Sequence, residues 1–180
     1  MAITTTDRLK ELLPQLFNDE QLEGSYYLRF QLTNDISGLI DLKYVRESLN
    51  VDSDRLTAVP NLPEYVVGLM SSRNQVFLAV DLAHLVGLPP QTVNLRQYQT
   101  IIVQVSESKE KKIFGLTVKN IQGISRRLPE QFNNNLENVP DLLRPFVTGS
   151  TLLQTSEDAD NTKESFAIDI AKLVTTKIEA

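Results

Sequence analysis

From Tyr26 to Leu32 the chain alternates, with Tyr26, Leu28, Phe30 and Leu32 separated by Tyr27, Arg29 and Gln31. A period of two places alternate side chains on opposite faces of an extended segment, so this stretch is predicted to be a half-buried strand. Asn34 and Asp35 follow as turn formers, and residues 36–42, which carry Gly38, return as a second strand to complete a hairpin. Further short apolar segments occur at 66–71, 75–81, 99–106, 111–119, 123–128, 148–155 and 165–170, with turn-forming clusters at 72–74, 106–110 and 156–161. Nine or ten short strands at this spacing predict an antiparallel sandwich or barrels, not a parallel sheet with crossover helices.

Helical periodicity is confined to short connectors at 82–86 and 141–143, to the C-terminal segment 168–178, and to residues 6–17. In the last of these, Leu9, Leu12, Leu13, Leu16 and Phe17 follow the capping residues Thr6 and Asp7, which predicts an amphipathic N-terminal helix. Pro14 removes a backbone hydrogen bond and breaks or kinks its last turn, so the arm is expected to end near Asn18.

With 180 residues, 41% of them hydrophobic, the chain can form one packed domain of ordinary size or two very small subdomains. Its 18 Lys and Arg against 23 Asp and Glu give a net charge of −5, which argues against a surface built to neutralise phosphates of nucleic acid. The absence of Cys excludes disulfides, thiolate zinc sites, iron–sulfur clusters and thiol nucleophiles, and the single His excludes a multi-histidine metal site. No apolar run reaches the roughly 18–20 residues of a membrane span, and Asp7 and Glu11 stand where a signal peptide would be basic and then apolar. The expectation is a soluble cytoplasmic protein with no direct membrane insertion.

Candidate chemistry is sparse. There is no Gly-x-Ser-x-Gly elbow and no glycine-rich phosphate loop. His84 falls on the short helix after a strand, where it reads as a surface or half-buried residue, and Asp81 is expected to cap that helix. Residues 107–112 mix both charge signs and read as a hairpin turn. Residues 155–162 carry Glu157, Asp158 and Asp160 but lack the glycine and distal glutamate of an EF-hand, so they read as an exposed loop. Neither an enzyme nor a cofactor or metal site is expected.

The distinctive stretch is VPNLPEYVVGLMSSRNQVFLAVDLAHLVGL, residues 59–88. Pro60-Asn61-Leu62-Pro63, the Gly68 to Arg73 turn and Val80-Asp81-Leu82 follow in the order and spacing of the CheW family of chemotaxis coupling proteins, which the chain resembles. Val45-Arg46-Glu47, the strands at 101–103 and 114–118, and residues 166–173 resemble further family segments, so the resemblance covers roughly 26–174. It implies a mainly β fold of two small five-stranded SH3-like barrels with short N- and C-terminal helices. The implied organisation is an N-terminal helical arm at 1–24, a CheW-like domain at 25–175 and a tail at 176–180.

The resemblance also implies a non-enzymatic adaptor between two partners: the regulatory domain of a CheA-type histidine kinase, and the cytoplasmic tip of a methyl-accepting chemotaxis or phototaxis receptor. Arg73 is the expected first receptor contact, with Glu47 and Val45 on the neighbouring surface and Arg46 and Asn74 beside them. Ser71 stands where the family has asparagine, Asn74 where it has glycine and Lys119 where aspartate is usual. Asn tolerates positive φ, so Asn74 is expected to keep the turn. With the N-terminal arm, these departures are similar to CheW-like proteins of cyanobacterial phototaxis and type IV pilus clusters. The alternative is a kinase-binding inhibitory module or a small-molecule sensor on the same frame.

Overall fold

The computed structural model describes residues 23–154 and 162–178 of the chain. The alternating segment at its start forms β1 (Ser25–Gln31), and a short turn returns it as β2 (Ser37–Asp41). Asp41 then accepts a hydrogen bond from the Lys43 N–H, which caps one 3-10 turn and sends the chain out of this sheet as β3 (Val45–Asp52). The remaining strands are β4 (Val66–Ser72), β5 (Gln75–Asp81), β6 (Gln97–Glu107), β7 (Glu110–Val118), β8 (Asn120–Arg127), β9 (Val147–Gln154) and β10 (Thr162–Ile168). Helix α1 (Leu82–Leu85) follows β5, and α2 (Ile170–Lys177) follows β10.

Two five-stranded sheets result, in the orders β8-β1-β2-β10-β9 and β3-β6-β7-β5-β4. Each curls on itself. After β3 the chain bridges back to β4 through Thr57 and Leu69, and after β8 it bridges back to β9 through Asn133 and Ser150.

The two sheets are the same unit used twice, with one strand of each exchanged: β3 leaves the first hairpin for the second sheet, and β8 leaves the second hairpin for the first. Registers agree in detail. Val66 pairs Val80 and Gly68 pairs Ala79, just as Val147 pairs Ile168 and Gly149 pairs Ala167, with one bulged residue in each case. The Asp81 N–H donates to Tyr65 O as the Asp169 N–H donates to Phe146 O. Both aspartates then cap their helices, accepting from His84 N and Lys172 N. Beneath this geometry lies a repeat, Ala-Val-Asp-Leu-Ala-His-Leu-Val from Ala79 and Ala-Ile-Asp-Ile-Ala-Lys-Leu-Val from Ala167.

The largest apolar cluster lies between the sheets. Leu28, Phe30, Leu32 and Ile40 from the first sheet meet Ile101, Val103, Leu116 and Val118 from the second, and both helices add to it through Leu82, Leu85, Ile170 and Leu173. Smaller clusters fill each curl: Val51, Met70, Phe77, Ala79 and Ile102 in the second, and Leu39, Leu153 and Ala167 in the first.

Sequence expectations are met at nine strand segments; the tenth, β3, is the one that alternation did not reveal, because Glu47 interrupts its apolar face of Leu49 and Val51. The pairing is not purely antiparallel: β2 lies parallel to β10 and β5 parallel to β7, because each closing strand reaches its sheet from the far side of a long connection. The connector expected at 141–143 is a turn leading into a single 3-10 turn, Arg144–Phe146, whose Phe146 is buried. Helix α2 runs to Lys177, so the boundary expected at 175 falls inside it. The arm at 6–17 and residues 155–161 lie outside the described residues. Among the described residues no helix is long and apolar enough to cross a membrane.

Phe30 fixes the spacing at the first hairpin. Its fully buried ring lies over its cross-strand partner Gly38, where an added Cβ would come within 2.3 Å of Phe30 Cζ. Gly38→Ala is therefore expected to destabilise the fold by about 1–3 kcal/mol through overpacking, read as a lower urea midpoint. Combining it with Phe30→Leu should recover part of that loss, and a Gly38→Ala midpoint equal to wild type would contradict the packing argument.

Candidate partner-binding surface

The turn between β4 and β5 has Arg73 at φ 47° and Asn74 at φ 63°, the two-residue geometry with both central residues at positive φ that hairpins favour. Asn74 keeps the turn as expected. Arginine in this region is unusual and carries a backbone cost on the order of 1–3 kcal/mol. The side chain is not there for the sake of the turn.

Strand β3 supplies what holds it. Because the second sheet curls, the β3 edge comes back to the β4–β5 turn. Glu47 Oε1 accepts from Ser72 Oγ at 2.7 Å, while Glu47 Oε2 pairs with Arg73 Nη2 at 3.3 Å. Beside this pair, Arg46 Nη1 donates to Gln75 Oε1 at 2.7 Å. Glu47 is half-buried and held by Ser72, whereas Arg73 is 72% exposed, so the carboxylate anchors the pair and the guanidinium presents itself to solvent. An ion pair this exposed is worth about 0–1 kcal/mol, and transfer of Arg73 to an outside carboxylate costs correspondingly little.

Four of the five expected residues, Arg73, Glu47, Arg46 and Asn74, therefore meet at one turn. Val45 does not. A bulge at Arg46 shifts the register between Val45 and Glu47, so Val45 packs half-buried against the core between the sheets while Glu47 sits on the inner side of the second curl, opposite Ile102. The structure adds Ser72 and Gln75, which the sequence did not single out, and Val76, 69% exposed beside the turn. Its signal was available: Val76-Phe77-Leu78-Ala79-Val80 is apolar on both faces, yet only Phe77, Ala79 and Val80 are buried.

Asp81 illustrates the contrast between a structural and a functional polar group. Buried at 4% exposure, it accepts from the N–H groups of His84, Gln91 and Thr92 and from Thr92 Oγ1. That set of donors satisfies it fully and leaves it no chemistry to offer. Among the described residues no group of three or more His, Asp or Glu is arranged to hold a metal ion.

A family model described as the CheW-like domain matches residues 27–176. Among solved structures, the fold is similar to the crystal structure of the scaffolding protein TtCheW from Thermoanaerobacter tengcongensis, with a TM-score of 0.66 at 18% identity, covering 87% of this chain and 91% of that one. A search of curated proteins finds no match.

The turn geometry makes a stability forecast. Arg73→Asn relieves the positive-φ strain of a long side chain and loses only an exposed ion pair, so urea unfolding should show a gain of about 0.5–1 kcal/mol. A lower midpoint for this variant would mean that the Glu47 pair outweighs the strain.

Proposed function

The chain belongs to the CheW-like domain family, whose members are non-enzymatic scaffolding proteins, and from that premise we propose that it is an adaptor coupling the cytoplasmic tip of a methyl-accepting receptor to the regulatory domain of a CheA-type histidine kinase. The observation that carries the receptor half is Arg73: a strained, exposed arginine held by one half-buried carboxylate and flanked by exposed Val76. An arginine beside a small apolar patch is a frequent hot-spot arrangement in protein interfaces. Asn74, Arg46 and Glu47 surround it, while Val45, on the far side of the β3 bulge, packs against the core between the sheets.

The kinase half is assigned to the first sheet. Its edge strand β8 exposes Ile124 at 60%, with Tyr26 of the neighbouring β1 at 46%. A free edge with apolar side chains suits packing against another small barrel. The cytoplasm is the compartment in which these two partners meet, and Ser71 and Lys119 support placement with the phototaxis and type IV pilus subgroup. In this chain Lys119 Nζ bonds Asn34 Oδ1, so the lysine ties the second hairpin to the first turn.

Arg73→Glu should leave thermal stability close to wild type while weakening receptor-dependent assembly with the kinase by about 1–4 kcal/mol, measured by titrating the chain into receptor and kinase. Assembly as tight as wild type by a stable Arg73→Glu protein would remove Arg73 from the interface.

A further inference from the structure

The duplicated fold allows the two curled sheets to be compared position by position, and their interiors differ in kind. Aligning the ladders at their bulges sets Arg29, Ser125 and Arg127 of the first sheet against Ile102, Leu49 and Val51 of the second. Aligning β9 and β10 with β4 and β5 sets Thr151 and Ser165 against Met70 and Phe77. At these five positions the second interior is apolar, and the first carries two arginines and three hydroxyls instead.

Those polar groups are not self-sufficient. Arg29 Nε, Ser125 Oγ and Arg127 Nε are the buried side-chain polar atoms that lack a hydrogen-bond partner among the described residues. All three can donate. Strands β1 and β8 carry Arg29, Arg126 and Arg127 and no carboxylate, in a chain whose net charge is −5. Asp41 at the end of β2 accepts from the N–H of Lys43 and pairs with its Nζ, and Glu164 of β10 accepts from Asn138 Nδ2. Burial first, and the positive charge of Arg29 second, hold the Arg127 guanidinium below its usual range. An open cavity of about 560 Å³ reaches Arg127 and Thr151, and its wall also carries Gln131, Asn133, Asn138 and the carboxylate of Glu164.

Buried donors without acceptors are costly and neighbouring guanidinium groups repel each other, and a single oxyanion between them relieves both. We propose that the interior of the first curled sheet is a binding site for a small oxyanion, a phosphate or carboxylate group, held by Arg29, Arg127 and Ser125. The second sheet, with Ile102, Val51 and Leu49 at the same places, cannot bind one.

The test uses the full chain and the variant that copies the second sheet, Arg29→Ile/Ser125→Leu/Arg127→Val. Inorganic phosphate and acetate are each added against sodium chloride at equal ionic strength, up to tens of millimolar. For wild type, the unfolding midpoint should rise by about 3–6 °C at a tenfold excess over the dissociation constant, and the variant should not respond. Whichever oxyanion acts assigns the ligand class. In wild type the Nε–H resonances of Arg29 and Arg127 should shift saturably with the same anion, which decides the matter even if the triple variant does not fold. Wild-type resonances and midpoint unmoved by either anion, or an equal response in the variant, would overturn the site.

Discussion

Neither sheet is completed by the strands of its own half of the chain. The exchange of β3 for β8 means that the second sheet takes its edge from the first hairpin and the first takes its edge from the second. Each crossing strand runs past the apolar layer formed by Leu28, Phe30, Ile101, Val103 and both helices, so the layer cannot be opened without stripping a strand from each sheet. Burying that layer is the dominant favourable term, and the crossed strands make it common property of the whole domain. The fold is consequently one cooperative unit, although it contains two barrels.

The same exchange builds the surface around Arg73. Glu47 arrives on β3, a strand that belongs by sequence to the first hairpin, and it holds a turn that belongs to the second sheet. The bulge at Arg46 lets one strand serve both purposes: before it Val45 packs into the shared layer, and after it Glu47, Leu49 and Val51 turn toward the second curl. An adaptor benefits from such a design, since its contact residues are fixed to the element that joins its two halves. A partner on the Arg73 turn and one on the β8 edge touch strands tied through a single core.

Duplication also explains how the two halves came to differ without disturbing the frame. The bulges, the paired glycines at 68 and 149 and the capping aspartates at 81 and 169 keep equivalent places, because backbone geometry depends on them. Interior side chains do not carry that constraint once the shared layer supplies most of the burial. One interior became apolar around Met70 and Phe77, and the other accepted arginines.

Much of this was legible in the chain itself. Alternation located nine strand segments, Asp81 declared itself a cap, the poverty in Cys and His removed most catalytic chemistry, and the motif at 59–88 marked the Arg73 turn. What alternation cannot supply is the partner of each strand, since a period of two assigns faces but not neighbours, and a single bulge reverses the assignment. Hence Glu47 hides β3 from alternation, the bulge at Arg46 turns Val45 away from the Arg73 turn, and the parallel pairs follow from no local spacing. The sequence by itself determined which segments extend, where helices begin and what chemistry is absent, because these follow from local spacing and composition. Only the tertiary structure decided that β3 and β8 trade places, that Glu47 reaches Arg73, and that equivalent interior positions are apolar in one curl and carry arginines in the other, because each depends on contacts between residues far apart in the chain.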